Sequence, residues 1–218
     1  MKIIFISLLS ILNTCISTDP VRIVEYKQEN CSTPLHEPIL INATSNFEEL
    51  TICAKFSLKF LKGTYFMELI SSSSNLTLFA IFLDDFSKNF GFVIYLESYY
   101  MFQWSEQEMK PDTWQQICTF VSNTQIVVAF NGNLILNEST ITTTQINVEN
   151  KQAYLHLGGS YEGSSFVGYM TKVYLWNQKF EITDLIYMTN SCSLIDAVPD
   201  LFSWDSFKVS FIQKLQYR

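Results

Sequence analysis

The chain is expected to fold as an all-β, two-sheet antiparallel sandwich with one short helix. Three observations predict it. Through residues 51–60, Ile52, Ala54, Phe56, Leu58 and Phe60 share one side, while Thr51, Cys53, Lys55, Ser57 and Lys59 share the other. That alternation belongs to a half-buried strand, because successive strand side chains point to opposite faces and a helix would mix the two sets. Further short apolar runs follow, each bounded by Ser, Asp, Asn or Gly, which is the rhythm of a sandwich. Asn131-Gly132 stands between the runs 125–130 and 133–136. Asn-Gly there is the strongest short-range hairpin signal, since a type I′ turn needs positive φ at both positions.

The elements are taken in chain order. Residues 1–17 have the make-up of a secretory signal: Lys2, an apolar run to Leu12, then small side chains at Cys15 and Ser17. A charged start, a short apolar core and a small-x-small site are what signal peptidase requires. The run is shorter than the ~20 apolar residues of a membrane span. Cleavage is placed after Ser17, or after Thr18, leaving 18–218 as one mature domain. Strand-type runs occupy 65–70, 76–83 and 90–96, then 153–157, 166–176 and 207–212. Only 181–189 reads as a short helix, with Thr183 as its cap.

Composition excludes some classes of function. The chain has a net charge of −7 and no basic cluster, which argues against a nucleic-acid partner. After residue 17 no stretch is apolar enough to insert into a membrane, and 211–218 is too short and polar for a lipid-anchor signal. The expected location is secreted and extracellular.

Four cysteines remain after cleavage: Cys31, Cys53, Cys118 and Cys192. An even number in an oxidising compartment predicts disulfides, and spacing alone leaves all three connectivities open. No pair has the CxxC spacing of a zinc site, so no metal is expected. Asn30, Asn42, Asn75 and Asn137 head N-x-[ST] sequons, acceptors for N-glycosylation on a secretory route. Asn42 and Asn137 are expected to be exposed, whereas Asn30 adjoins Cys31.

Three segments resemble the pentraxin and laminin-G group of concanavalin A-like jelly rolls: Leu50-Thr51-Ile52-Cys53-Ala54-Lys55-Phe56, Trp114-Gln115-Gln116-Ile117-Cys118, and Leu157-Gly158-Gly159 followed by Phe166-Val167-Gly168-Tyr169-Met170 and Val173-Tyr174-Leu175-Trp176. Pro199 through Phe202-Ser203-Trp204 resembles the group's closing segment, so the likeness spans about 45–210. It implies a jelly-roll sandwich and a Cys53–Cys118 bridge. Cys31 and Cys192 are then expected to clip the N-terminal segment to the C-terminal one, or to pair between chains. The chain departs from the group's sequence signature, with Gln116 where a His is expected, and from its calcium site, where Ser74-Asn75 replaces an Asp-Asn pair and 160–165 offers only Glu162. Calcium takes six to eight oxygens, several of them charged, so no calcium and no other cofactor is expected.

No catalytic constellation is evident. His36 and His156 read as surface histidines, and no nucleophile elbow accompanies them. Glu106 and Glu108 have the spacing of glycosidase carboxylates but precede Pro111 in a polar turn, and Asp84-Asp85 marks another turn. The aromatic run 95–104 is the candidate binding element. Carried through unbroken, alternation puts Tyr100, Phe102 and Trp104 on one face and Tyr95, Tyr99, Met101 and Gln103 on the other as a possible patch. The expected function is calcium-independent recognition or adhesion toward a protein or glycan, not catalysis. A glycan-cleaving jelly-roll enzyme and a structural secreted component are the alternatives. If the leader is removed, mass analysis of protein from culture medium finds a start near Thr18; intact Met1 on secreted protein refutes the assignment.

Overall fold

The structure is a computed structural model. It describes residues 24–26, 38–43, 47, 49–59, 64–73, 77–84, 91–96, 99–104, 109–122, 124–139, 152–158, 166–191 and 197–206. Cys31, Cys192, Asn30, Asn75, His36, Glu106, Glu108, Glu162 and the leader lie outside them.

Thirteen strands among the described residues form two antiparallel sheets. They are β1 (Val24–Tyr26), β2 (Ile39–Asn42), β3 (Glu49–Leu58), β4 (Thr64–Ser71), β5 (Thr77–Asp84), β6 (Gly91–Leu96), β7 (Tyr99–Trp104), β8 (Gln115–Ser122), β9 (Gln125–Phe130), β10 (Asn133–Ser139), β11 (Gln152–Leu157), β12 (Gly168–Trp176) and β13 (Phe202–Ser203). The first sheet runs β1-β12-β3-β8-β9-β10 with β13 also beside β12, and the second runs β2-β11-β4-β5-β6-β7. This is the expected sandwich of jelly-roll type.

The core fills the space between the sheets. Phe56 of β3 meets Phe66 of β4 at 4.7 Å between ring centroids, and Phe166 closes the cluster at 6.3 Å from Phe56. Ile52, Ala54 and Leu58 join from β3, with Leu69, Phe79, Ile81 and Leu155 from the facing sheet. The alternation over 51–60 thus names the core face of β3 correctly.

Its other face is not open, which corrects the half-buried expectation. Thr51, Cys53 and Ser57 are all buried, while Lys55 and Lys59 are intermediate. Part of the cover is α1 (Ile182–Asn190), which lies against β8, β9 and β10, reaches Cys53 through Met188 and buries Leu185, Met188 and Thr189. Those three residues lie at i, i+3 and i+4, one stripe of a helix. Met188 Sδ lies 3.9 Å from Cys53 Sγ. The cap differs from expectation as well. Thr183 lies inside the first turn, and Glu181 takes the N-cap position in extended backbone with no side-chain cap bond. The Glu181 carbonyl accepts from the backbone N–H groups of Asp184 and Leu185 at 3.0 and 3.1 Å. Packing rather than capping holds this helix.

Cys53 and Cys118 are direct partners in the β3–β8 ladder, and they form the disulfide that the resemblance implies, with Cα atoms 4.1 Å apart. The Asn131-Gly132 hairpin also stands: φ is 47° at Asn131 and 81° at Gly132. The Gly132 N–H donates to Thr189 Oγ1 at 3.0 Å, so the turn docks onto α1.

Gly168 is the tightest point in the sandwich. Its φ is 155°, and a Cβ there would stand 2.0 Å from the Ser57 carbonyl oxygen. Backbone cannot yield as a side-chain tip does. Gly168→Ala is expected to destabilise by ~3 kcal/mol or more, read as a lowered denaturant midpoint at unchanged slope. A midpoint equal to the parent's would show that β3 and β12 can part without cost.

Candidate functional site

The face of the second sheet turned away from the core holds a polar cluster that is buried rather than exposed. Glu68 lies in the centre of β4, between Met67 and Leu69, and is 5% exposed. Directly across the ladder, His156 of β11 is 9% exposed. Thr77 Oγ1 of β5 donates to Glu68 Oε1 at 2.7 Å. Directly opposed antiparallel residues have Cβ atoms ~4.5–5.5 Å apart on one face, so acid and imidazole are neighbours. Burial pushes the His156 imidazole below its ordinary range, and the Glu68 charge opposes that shift. Half-buried aromatics surround the cluster: Tyr154 on β11, and Tyr65 edge-on to Phe82 at 5.0 Å between centroids.

His156 is therefore no surface histidine. It pairs with Glu68 of β4 and follows directly on Leu155, the last residue of β11 paired with β2. Glu68 escaped notice as a site residue. Its signal was visible: one carboxylate inside Tyr65-Phe66-Met67-Glu68-Leu69-Ile70, which is costly to bury unless partnered.

Leu96 pairs with Tyr99 across the β6–β7 hairpin, and Tyr95 pairs with Tyr100. Met101 pairs with Ile94 and Gln103 with Phe92 in the same hairpin, and Ala80 of β5 pairs with Tyr95. The side chains of the candidate patch, Tyr95, Tyr99, Met101 and Gln103, lie outside the described residues.

Among the described residues, no three His, Cys, Asp or Glu side chains gather as a metal site requires. No helix among them is long and apolar enough to cross a membrane. Asn42 and Asn137 are exposed on β2 and β10, as their sequons require.

Several solved structures share this architecture. A native heptameric SAP-like pentraxin from Limulus polyphemus superposes with a TM-score of 0.66 at 16% identity, over 84% of this chain and 88% of that one. Domain 4 of AbnA, an extracellular arabinanase from Geobacillus stearothermophilus, superposes at 0.54 and 11% identity, over 70% and 71%. A Trypanosoma rangeli sialidase mutant gives 0.51 at 9% identity over 66% of this chain, but only 23% of that one. At these identities the likeness is one of fold. No curated protein sequence matches the chain. The family model Laminin_G_3 matches residues 36–184, and with the sandwich and the pentraxin likeness in agreement, the chain belongs to this family of the concanavalin A-like lectin/glucanases superfamily.

Proposed function

We propose that the chain is a secreted, non-catalytic recognition module that binds a glycan, without calcium, on the outer face of its second sheet. The carrying observation is the Glu68–Thr77–His156 cluster at the centre of that face, ringed by Tyr65, Phe82 and Tyr154. A carboxylate and an imidazole offer directional hydrogen bonds to hydroxyls, and aromatic rings offer flat apolar surface for the C–H faces of a sugar. Domain 4 of the arabinanase was solved with arabinotriose, so a fold of this kind accommodates an oligosaccharide in at least one relative.

Cleavage is the weaker alternative. Glycosidase carboxyl pairs stand ~5–9.5 Å apart. Along this face the next acid on β5 is Asp84, four residues beyond Ala80, the partner of Glu68. At a rise of ~3.3 Å per residue, that is about 13 Å.

Two measurements test the proposal. On a glycan array in EDTA, the full-length secreted protein is expected to retain at least one ligand. Glu68→Gln is expected to weaken that ligand by roughly 10- to 100-fold, the worth of a charge-assisted hydrogen bond. An array with no ligand, binding lost in EDTA, or an unaffected Glu68→Gln variant would each reject it.

The second concerns acid. His156 is held below its ordinary pKa of 6.5 mainly by burial. The unfolded chain therefore takes up the proton first as pH falls, and stability drops below about pH 6.5. Between pH 7 and 5 the melting temperature is expected to fall, and His156→Gln to flatten that fall. Identical slopes for parent and variant would place the titration elsewhere.

A further inference from the structure

The described ends of the two sheets share one unusual feature. β2 is an outer strand of the second sheet and β10 an outer strand of the first. Each carries an exposed leucine, Leu40 at 48% and Leu134 at 41%. An outer strand with exposed apolar side chains is a template for pairing with another chain. Each also carries a sequon: Asn42-Ala43-Thr44 on β2 and Asn137-Glu138-Ser139 on β10.

Register puts asparagine and leucine on the same face in both strands. Leu40 pairs with Tyr154 and Asn42 with Gln152, two residues away on β11. On β10 a bulge between Leu134 and Leu136 restores the match, so that Leu134 pairs with Ala129 and Asn137 with Val127. The carboxamides are held alike. Gln152 Nε2 donates to Asn42 Oδ1 at 2.9 Å, and Gln125 Nε2 donates to Asn137 Oδ1 at 2.9 Å. With the oxygen turned toward the neighbouring strand, the amide nitrogen is turned away from it.

We propose that N-linked glycans on Asn42 and Asn137 shield these two strands, covering Leu40 and Leu134 and blocking strand addition by a second chain. The modification rests on the secretory route assigned to the chain. At each site the anomeric carbon of an oligosaccharide leaves the phosphate of a polyprenyl diphosphate donor and bonds to Nδ2. That nitrogen gives up a proton, and polyprenyl diphosphate departs. The glycan then stands one side-chain spacing, ~7 Å, from Leu40. It does sterically what charge or proline does on other sheet edges.

The test uses the full chain expressed in a glycosylating eukaryotic host, beside the same chain with residues 1–17 replaced by a foreign secretory leader. Glycosidase release in heavy-oxygen water followed by mass spectrometry is expected to tag both Asn42 and Asn137. Thr44→Ala with Ser139→Ala removes both sequons while keeping the two asparagine–glutamine hydrogen bonds. Light scattering of that variant is expected to show a molar mass rising with concentration above the parent's. Leu40→Lys with Leu134→Lys is expected to reverse the rise. An untagged Asn42 or Asn137 in secreted protein overturns the proposal, as does a variant whose mass tracks the parent's at every concentration. Secretion with the foreign leader alone would count against the native leader, and the shield would then stand or fall on the same two readouts.

Discussion

The sandwich depends on burying β3 on both faces. A strand in the middle of a two-sheet fold ordinarily faces the core on one side and water on the other. Here Phe56 and its neighbours fill the core side, while the opposite side carries Cys53 beneath Met188. Several features serve that second burial. Thr51 Oγ1 donates to the Gln178 carbonyl at 2.6 Å and so ties β3 to the segment leading into α1. Trp176 packs edge-on against Phe180 at 5.3 Å, and its indole N–H donates to the Ala197 carbonyl at 3.1 Å. The Gly132 turn anchors the other end of the helix through Thr189. The disulfide adds covalent insurance, since closing a 65-residue separation is worth about 4 kcal/mol in the chain-entropy model.

What was legible in the sequence is what local physics decides. Alternation names the core face of β3, because only one face meets the other sheet. Asn131-Gly132 names its hairpin, because both residues take positive φ. The helix shows through its spacing. Other features depended on pieces distant in sequence. Cys53, Thr51 and Ser57 read as a wet face, because nothing near β3 in the chain announces that residues 182–190 will cover part of it. Thr183 read as a cap because Thr is a good one, yet the chain enters the helix two residues earlier. His156 read as exposed because its strand alternates, and alternation cannot show that Glu68 sits across the ladder.

The two sheets treat their outer faces differently. The first covers its outer face with a helix, a disulfide and aromatic packing, and two lysines lie against rings, Lys55 over Trp114 at 5.8 Å and Lys59 over Tyr169 at 5.0 Å. Those contacts are what a scaffold uses to cover apolar surface with long side chains. The second sheet instead puts a carboxylate, an imidazole and a hydroxyl into its central rows.

A carboxylate is costly to bury and is kept in a sheet only with partners, among them here the Thr77 hydroxyl. An apolar residue at 68 would extend the pattern of Ile70 along β4 with no charge to bury. Sequences that specify a fold keep local and global preferences in agreement, and departures concentrate where a site is needed. Glu68 is such a departure, since it stands on the face turned away from the core and is nonetheless buried. Scaffold requirements account for the Cys53–Cys118 bridge, Gly168 and the helix. They do not account for an acid facing a histidine in mid-sheet, which is the feature the proposed recognition of a hydroxyl-rich ligand rests on.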